Sequence, residues 1–206
     1  MDLQLKGKEA IVTGGTAGIG LAVARVLSEE GAEVAILGRN SQKLSEAVAS
    51  LPGRARGIEV DLGTAEGAAR LIAALPETDI LVNNLGIYEP KAFADITDEE
   101  WLYLFEVSGM AEQTKGTKVT VNTVLPGPTR SEGIVGFLQN LASTPNATAE
   151  QAEQEFFEKY RTSSLLQRLI EDREVANLVA YVASPLSSAT NGAALRVEGG
   201  LLRSIA

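Results

Sequence analysis

The chain has 206 residues, a formal charge of −9, and neither cysteine nor histidine. Disulfides, thiolate nucleophiles, the usual zinc ligands and every His-based triad or His general base are thereby excluded. The negative balance also argues against nucleic acid or an anionic membrane surface as a partner. Any acid–base chemistry must use Tyr, Lys or carboxylates, and no metal site is expected. The length and a hydrophobic content of 45% fit one α/β domain with a sizeable core. No apolar run is long enough to span a bilayer, and Met1 to Lys6 has no signal-peptide h-region, so the cytoplasm is the expected location.

The organising stretch is Glu9 to Gly20, E-A-I-V-T-G-G-T-A-G-I-G. An apolar run, Ala10 to Val12, ends in Thr13, glycines follow, and a helix-period segment runs from Ile19 to Leu27. Strand, glycine turn and helix in that order set a diphosphate on a helix N-terminus. Gly14 allows the tight turn. Gly18 lets backbone N–H groups approach a pyrophosphate. Gly20 lets the helix pack close to the strand. The spacing is G-x3-G-x-G rather than the commoner G-x-G-x-x-G, so the flanking strand and helix carry the reading, against an ordinary structural turn.

Glu33 to Leu37 reads as a second buried strand, parallel to the first. It ends in Gly38-Arg39-Asn40, where an acid would hold the adenosine ribose of NAD; none stands there. Gly38 leaves room, and the Arg39 guanidinium suits a 2′-phosphate, which favours NADP over NAD. The other reading of Arg39 is a solvated loop residue. Asn40 or Ser41 caps a helix, Gln42 to Leu51, broken by Pro52-Gly53. Ala55 to Val60 is a third strand, followed by Asp61-Leu62. Asp61 either accepts from an adenine amino group or serves as a loop acid or helix N-cap. Thr64 caps a helix to Leu75, and Thr78 to Val82 is a fourth strand closing on Asn83-Asn84-Leu85-Gly86.

Thr13-Gly14-x3-Gly18-x-Gly20, Asp61 and Asn83-Asn84-Leu85-Gly86 together resemble the short-chain dehydrogenase/reductase family. Val121 to Gly127 is similar to that family's sixth strand and Pro-Gly turn, and Asn191 to Gly200 to its last strand. The resemblance implies a Rossmann-like doubly wound parallel sheet in three α/β/α layers, a single domain over residues 1–206. It implies NADP or NAD as cofactor, and hydride transfer between it and a small carbonyl/alcohol substrate. Carried over by position, Gly14, Thr16, Gly18, Ile19 and Gly20 cradle the diphosphate. Asp61 and Leu62 meet the adenine, Asn83 and Gly86 border the ribose, and Pro126, Gly127 and Thr129 flank the nicotinamide. Leu85 stands where the family usually has Ala. A homodimer or homotetramer is the implied assembly.

The family also has a strand bearing a catalytic Ser, a Tyr-x-x-x-Lys pair and long helices between the fourth strand and the Pro-Gly turn. Here Thr97 to Glu100 forms a capping box that opens a helix with Trp101, Leu102, Leu104 and Phe105 on its apolar face, and by Lys118 the next strand has begun. The shortfall is roughly 50 residues near 107–111, the length of two helices, a strand and their connections. Tyr88, Tyr103, Tyr160 and Tyr181 are followed four residues later by Ala92, Val107, Ser164 and Pro185, so none has its lysine. The pair is needed because Lys lowers the pKa of the Tyr that exchanges the alcohol proton. No catalytic residue is therefore assigned. Two readings stay open: a reductase whose catalytic segment lies outside these residues, or a nucleotide-binding or interaction module without catalysis. Other chemistry on the same fold, such as epimerisation, is a further rival. Without the missing strand, Val119–Val124 and Leu195–Val197 would separate from the remaining sheet.

Beyond Thr129 the resemblance implies a substrate lid near 130–168, and long insertions of this kind are often mobile; the other reading is a surface helix pair with core aromatics. Within it Thr148 caps a helix through Tyr160, with Gln151 in the capping-box position. Glu171 to Glu174 opens a last helix stopped by Ser184-Pro185, and Ala193 to Val197 is the final strand.

Overall fold

The computed structural model describes residues 1–84, 110–143 and 146–203. The Thr97–Glu100 capping box, Leu85, Gly86, Tyr88 and Tyr103 lie outside them. Two apolar segments form the centre of a parallel sheet, β1 (Glu9–Val12) and β2 (Glu33–Gly38), in register from Glu9 opposite Glu33 to Val12 opposite Ile36. Both are buried on two faces, as their unbroken apolar runs require. β3 (Ala55–Glu59) pairs outside β2, and β4 (Ile80–Val82) pairs on the other side of β1, giving the order β3-β2-β1-β4. β3 is an edge, and it carries exposed Arg56 and Glu59 that discourage further pairing.

Strand parity separates the two faces. Ala10, Val12, Val34 and Ile36 pack with α1 (Gly18–Glu29), α2 (Ser41–Ala49) and α6 (Asp172–Val182) in the main core. Ile11, Ala35 and Leu37 face the other way, onto Val60 and onto Leu71 and Leu75 at α3 (Ala65–Ala74). That is a doubly wound sheet in three α/β/α layers, as the glycine turn and strand order imply. α1 is buried on several sides because α6 covers it, and Arg173 pairs with Glu29 at 2.6 Å across that contact.

The second half is a separate pair of parallel strands, β5 (Thr123–Pro126) and β6 (Ala194–Val197). Among the described residues β4 and β5 do not pair, which is the separation expected if an intervening strand is absent. The polypeptide before β5 corrects the expected strand, Val119–Val124, which begins only at Thr123. Two asparagine side chains take the place of ladder bonds there. Asn191 Oδ1 accepts from the Val121 N–H at 2.8 Å, and Asn122 bonds Thr190 O and the Ala193 N–H.

The 130–168 segment holds α4 (Glu132–Leu141) and α5 (Ala149–Lys159) around a core of their own: Leu138, Ala147, Ala152, Phe156, Phe157 and Leu169. Phe156 and Phe157 meet edge to face with centroids 5.2 Å apart. The helix caps read from sequence are present: Asn40 on Lys43 N–H, Thr64 on Gly67 N–H, and the Thr148/Gln151 box. Among the described residues no helix is long and apolar enough to cross a membrane.

Candidate cofactor site

Because β1 to β4 run parallel, their C-terminal ends lie on one edge of the sheet, and four of the predicted segments meet there. β1 is followed by Thr13, whose side chain is buried and accepts the Asn84 N–H at 2.9 Å. The chain turns at Gly14 with φ of 60° and again at Gly18 with φ of 54°, a conformation that costs an L side chain about 1–2 kcal/mol. Gly15 donates its N–H to Leu37 O at 3.3 Å, which fixes the turn to the end of β2.

A Cβ on Gly18 would meet nothing within 4 Å, so the space before α1 is open. A Cβ on Gly20 would sit 2.4 Å from Gly14 O and 2.5 Å from Asn84 Nδ2. Gly20 therefore serves close packing on the turn itself and on Asn84, rather than on the strand. Asn84 also donates to Thr13 O and Gly14 O at 3.2 and 3.3 Å. It holds the turn from β4, a role that its place beside Asn83 in the sequence did not reveal.

The α1 terminus differs from the other helix starts. Ala17, its N-cap residue, offers no side-chain acceptor, and the first turn has no acid. α2, α3, α4 and α5 are capped by Asn40, Thr64, Ser131 and Thr148, and Glu174 reaches back to the Glu171 N–H at α6. Among the described α-helices, α1 alone leaves its first N–H groups without a side-chain partner or an acid nearby. Those donors and the helix dipole point into the open space before Gly18, an arrangement that suits an anion. Ile19 packs its side chain against the main core, leaving its backbone to that end.

At the end of β2 the structure corrects one expectation. The room left by Gly38 is filled by Thr16, whose Cγ2 would lie 2.7 Å from a Cβ there. Arg39 is exposed and forms no ion pair among the described residues. Asp61, also exposed, accepts the Gly63 N–H at 2.9 Å through its side chain, closing the turn after β3. Leu62 packs against the cluster of Ile11, Ala35, Leu37 and Val60, and Asn83 is exposed beyond β4. Gly86 lies outside the described residues.

The second rim is the turn after β5. Gly127 donates to Val197 O at 2.9 Å, and a Cβ on it would lie 2.8 Å from Glu198 Cα, so β6 requires a glycine there. Pro126 is exposed. Thr129 is buried, donates its hydroxyl to Gly127 O at 2.8 Å, and bridges to Ile170. Directly after it Arg130 donates Nη2 to Glu153 at 2.8 Å and Nε to Glu171 at 3.0 Å. The two carboxylates, Glu171 first, raise the pKa of the guanidinium. A cavity of about 500 Å³ opens beside this contact, lined by Arg130, Glu150, Glu153, Phe157 and Gln167. Of the described tyrosines, Tyr160 ends α5, stacked on Phe156, and Tyr181 lies on α6.

The family model described as short chain dehydrogenase matches residues 8–110, and that described as Enoyl-(Acyl carrier protein) reductase matches 107–202. The Bacillus subtilis oxidoreductases YvaG and YvrD are 40% and 36% identical to the chain, each over an alignment of 263 residues covering the whole of both partners. L-sorbose reductase from Gluconobacter frateurii, solved with NADPH and L-sorbose, shares the fold over the full length of both chains with a TM-score of 0.86 at 21% identity. With the glycine turn, the strand order and the Pro-Gly rim in agreement, the chain belongs to the short-chain dehydrogenase/reductase family of oxidoreductases.

Proposed function

We propose that the chain binds a nicotinamide dinucleotide, NADP(H) in preference to NAD(H), and that the intact protein interconverts a small carbonyl compound and its alcohol. The observation that carries the reading is the α1 terminus, uncapped, free of acids, and fronted by Gly14 and Gly18 with open space before it. Backbone N–H groups around Gly14, Thr16, Gly18, Ile19 and Gly20 hold the diphosphate. Arg39 meets the ribose 2′-phosphate with no carboxylate among the described residues competing for it, and Asp61 and Leu62 border the adenine. Asn83 and Gly86 border the nicotinamide-side ribose, and Pro126, Gly127 and Thr129 flank the ring. A bound nicotinamide would supply or accept the hydride at the carbonyl carbon, with a proton exchanged at the substrate oxygen.

The proton donor lies outside these residues. The two family models meet at 107–110, and the YvaG alignment is longer than the 206-residue chain. Among the described residues β4 and β5 do not pair with each other, and Leu81 and Leu125 are 54% and 40% exposed on strands that a doubly wound sheet normally covers. These observations support an absent segment of roughly 50 residues, a strand with helices, at that join. The complete protein is cytoplasmic and assembles as a homodimer or homotetramer.

Two measurements test the reading. Titration of NADPH and NADH into the wild type and Arg39→Asp should weaken NADPH binding by about tenfold or more, the usual loss of a charged hydrogen bond. NADH binding should change little, and equal effects on both would remove the 2′-phosphate role. The intact mass of the purified protein tests the segment. A mass well above 21.7 kDa, with NADPH consumption on a carbonyl panel, is expected; a mass near 21.7 kDa without turnover leaves cofactor binding alone.

A further inference from the structure

The geometry points to Arg130 as a positioning residue that, through Glu153 and Glu171, closes the 130–168 segment onto the Pro126–Thr129 turn and sets how far its helices stand from the nicotinamide end. The consequence for substrate rests on the reductase reading; the mechanical role does not.

Three places far apart in sequence meet on one guanidinium. Arg130 follows Thr129 directly, Glu153 lies in the middle of α5, and Glu171 begins α6. The fork is divided, Nη2 to Glu153 at 2.8 Å and Nε to Glu171 at 3.0 Å. Glu153 uses its second oxygen as well, accepting the Leu169 N–H at 2.8 Å. Its side chain is 14% exposed, so these contacts are only partly open to water. Next to them the main chain closes the same loop. Arg130 N–H donates to Ile170 O at 2.7 Å, and Ile170 N–H to Pro128 O at 2.9 Å.

The segment therefore leaves the sheet at 130 and returns at 170 through one short parallel bridge, with Glu153 tying α5 to both strands of it. Since the two helices share their own core, they can move as a body only if that bridge opens. Arg130, which lines the cavity beside α5, has its charge engaged by two carboxylates, which suits a clamp better than an anchor for a substrate anion. A lysine has no second fixed donor direction and cannot reproduce the divided contact.

The test is amide hydrogen exchange on the full chain with NADPH, comparing the wild type, Glu153→Ala, Glu153→Gln and Arg130→Lys. In Glu153→Ala, the amides of Arg130 and Ile170 should exchange about tenfold faster or more. Those within α5 and within β1 and β2 should keep their wild-type rates. Glu153→Gln, which preserves an acceptor for Leu169, and Arg130→Lys should fall between. Unchanged rates at Arg130 and Ile170 would overturn the proposal. So would equal acceleration within α5, because Glu153 would then hold the fold of the segment and not its pose. With a carbonyl compound that is turned over, KM should rise about tenfold in Glu153→Ala while kcat stays within about threefold; a fall in kcat alone would overturn the effect on substrate. If the wild type fails to bind NADPH, the cofactor reading fails, yet the exchange pattern still decides the clamp.

Discussion

The two halves of the molecule obey the same rule of parallel strands and differ in how far it is satisfied. Around β1 and β2, Val12 and Ile36 are wholly buried and every neighbouring strand is paired. At β4 and β5 the strands are as apolar, yet Leu81 is 54% and Leu125 40% exposed. Apolar content makes a strand, but only neighbours on both edges and both faces make it stable. The first half, with α6 laid over α1, closes around the glycine turn. The second half is held by a two-stranded sheet, two asparagines and the contacts around Arg130.

The contrast can be broken by truncating one side chain from each half. Ile36→Ala should cost about 2–5 kcal/mol in denaturant unfolding, the range for a buried aliphatic, whereas Leu81→Ala should cost less than about 1 kcal/mol in the 206-residue polypeptide. A large loss for Leu81→Ala would mean that β4 is covered in solution. A smaller but more selective effect is expected at the turn. Gly18→Val should abolish cofactor binding in titration while lowering stability by about 1–2 kcal/mol, from φ of 54°. Unchanged affinity would detach the α1 terminus from the diphosphate.

The smallest effect expected is on acid stability. Arg168, with the Glu171 N–H, holds Glu174 down to about 2. A depressed carboxylate stabilises the fold above its unfolded pKa of about 4.3, and that contribution is lost as pH falls towards 2. Melting temperature should therefore drop between about pH 5 and pH 2, with Glu174→Gln showing a slightly shallower decline. The difference is small because Arg168 and Glu174 are both more than a third exposed. Identical profiles would show that this pair adds nothing.

What the sequence disclosed was local. The turn at Gly14 to Gly20, the strand run at Glu33 and the caps at Asn40, Thr64 and Thr148 depend on residues within a few positions, and the structure has them. What it concealed depended on contacts between distant positions. Asn84 reads as a loop residue until β4 is laid beside β1. Gly38 reads as empty space until Thr16 folds over it. The segment at 130–168 reads from sequence either as a substrate lid, by resemblance, or as a surface helix pair with core aromatics. The core around Phe156 and Phe157 and the meeting of 130, 153 and 171 on one guanidinium depend on contacts between distant positions. The late start of β5 has the same origin, since Asn122 and Asn191 replace ladder bonds through side chains 69 positions apart.

The packing of α6 on α1 bears on the order in which the molecule can be made. Ala176 and Ala180 are fully buried in the same core as Leu5, Val23 and Leu27, so the largest apolar cluster among the described residues joins residues 3–82 to residues 176–183. During synthesis, the first helix emerges long before the surface that covers it. Until residues 172–182 have left the ribosome, α1 keeps an uncovered flank open to chaperones or to other nascent chains. Folding should then be late and cooperative, governed by one long loop closure rather than by step-by-step growth from the N-terminus.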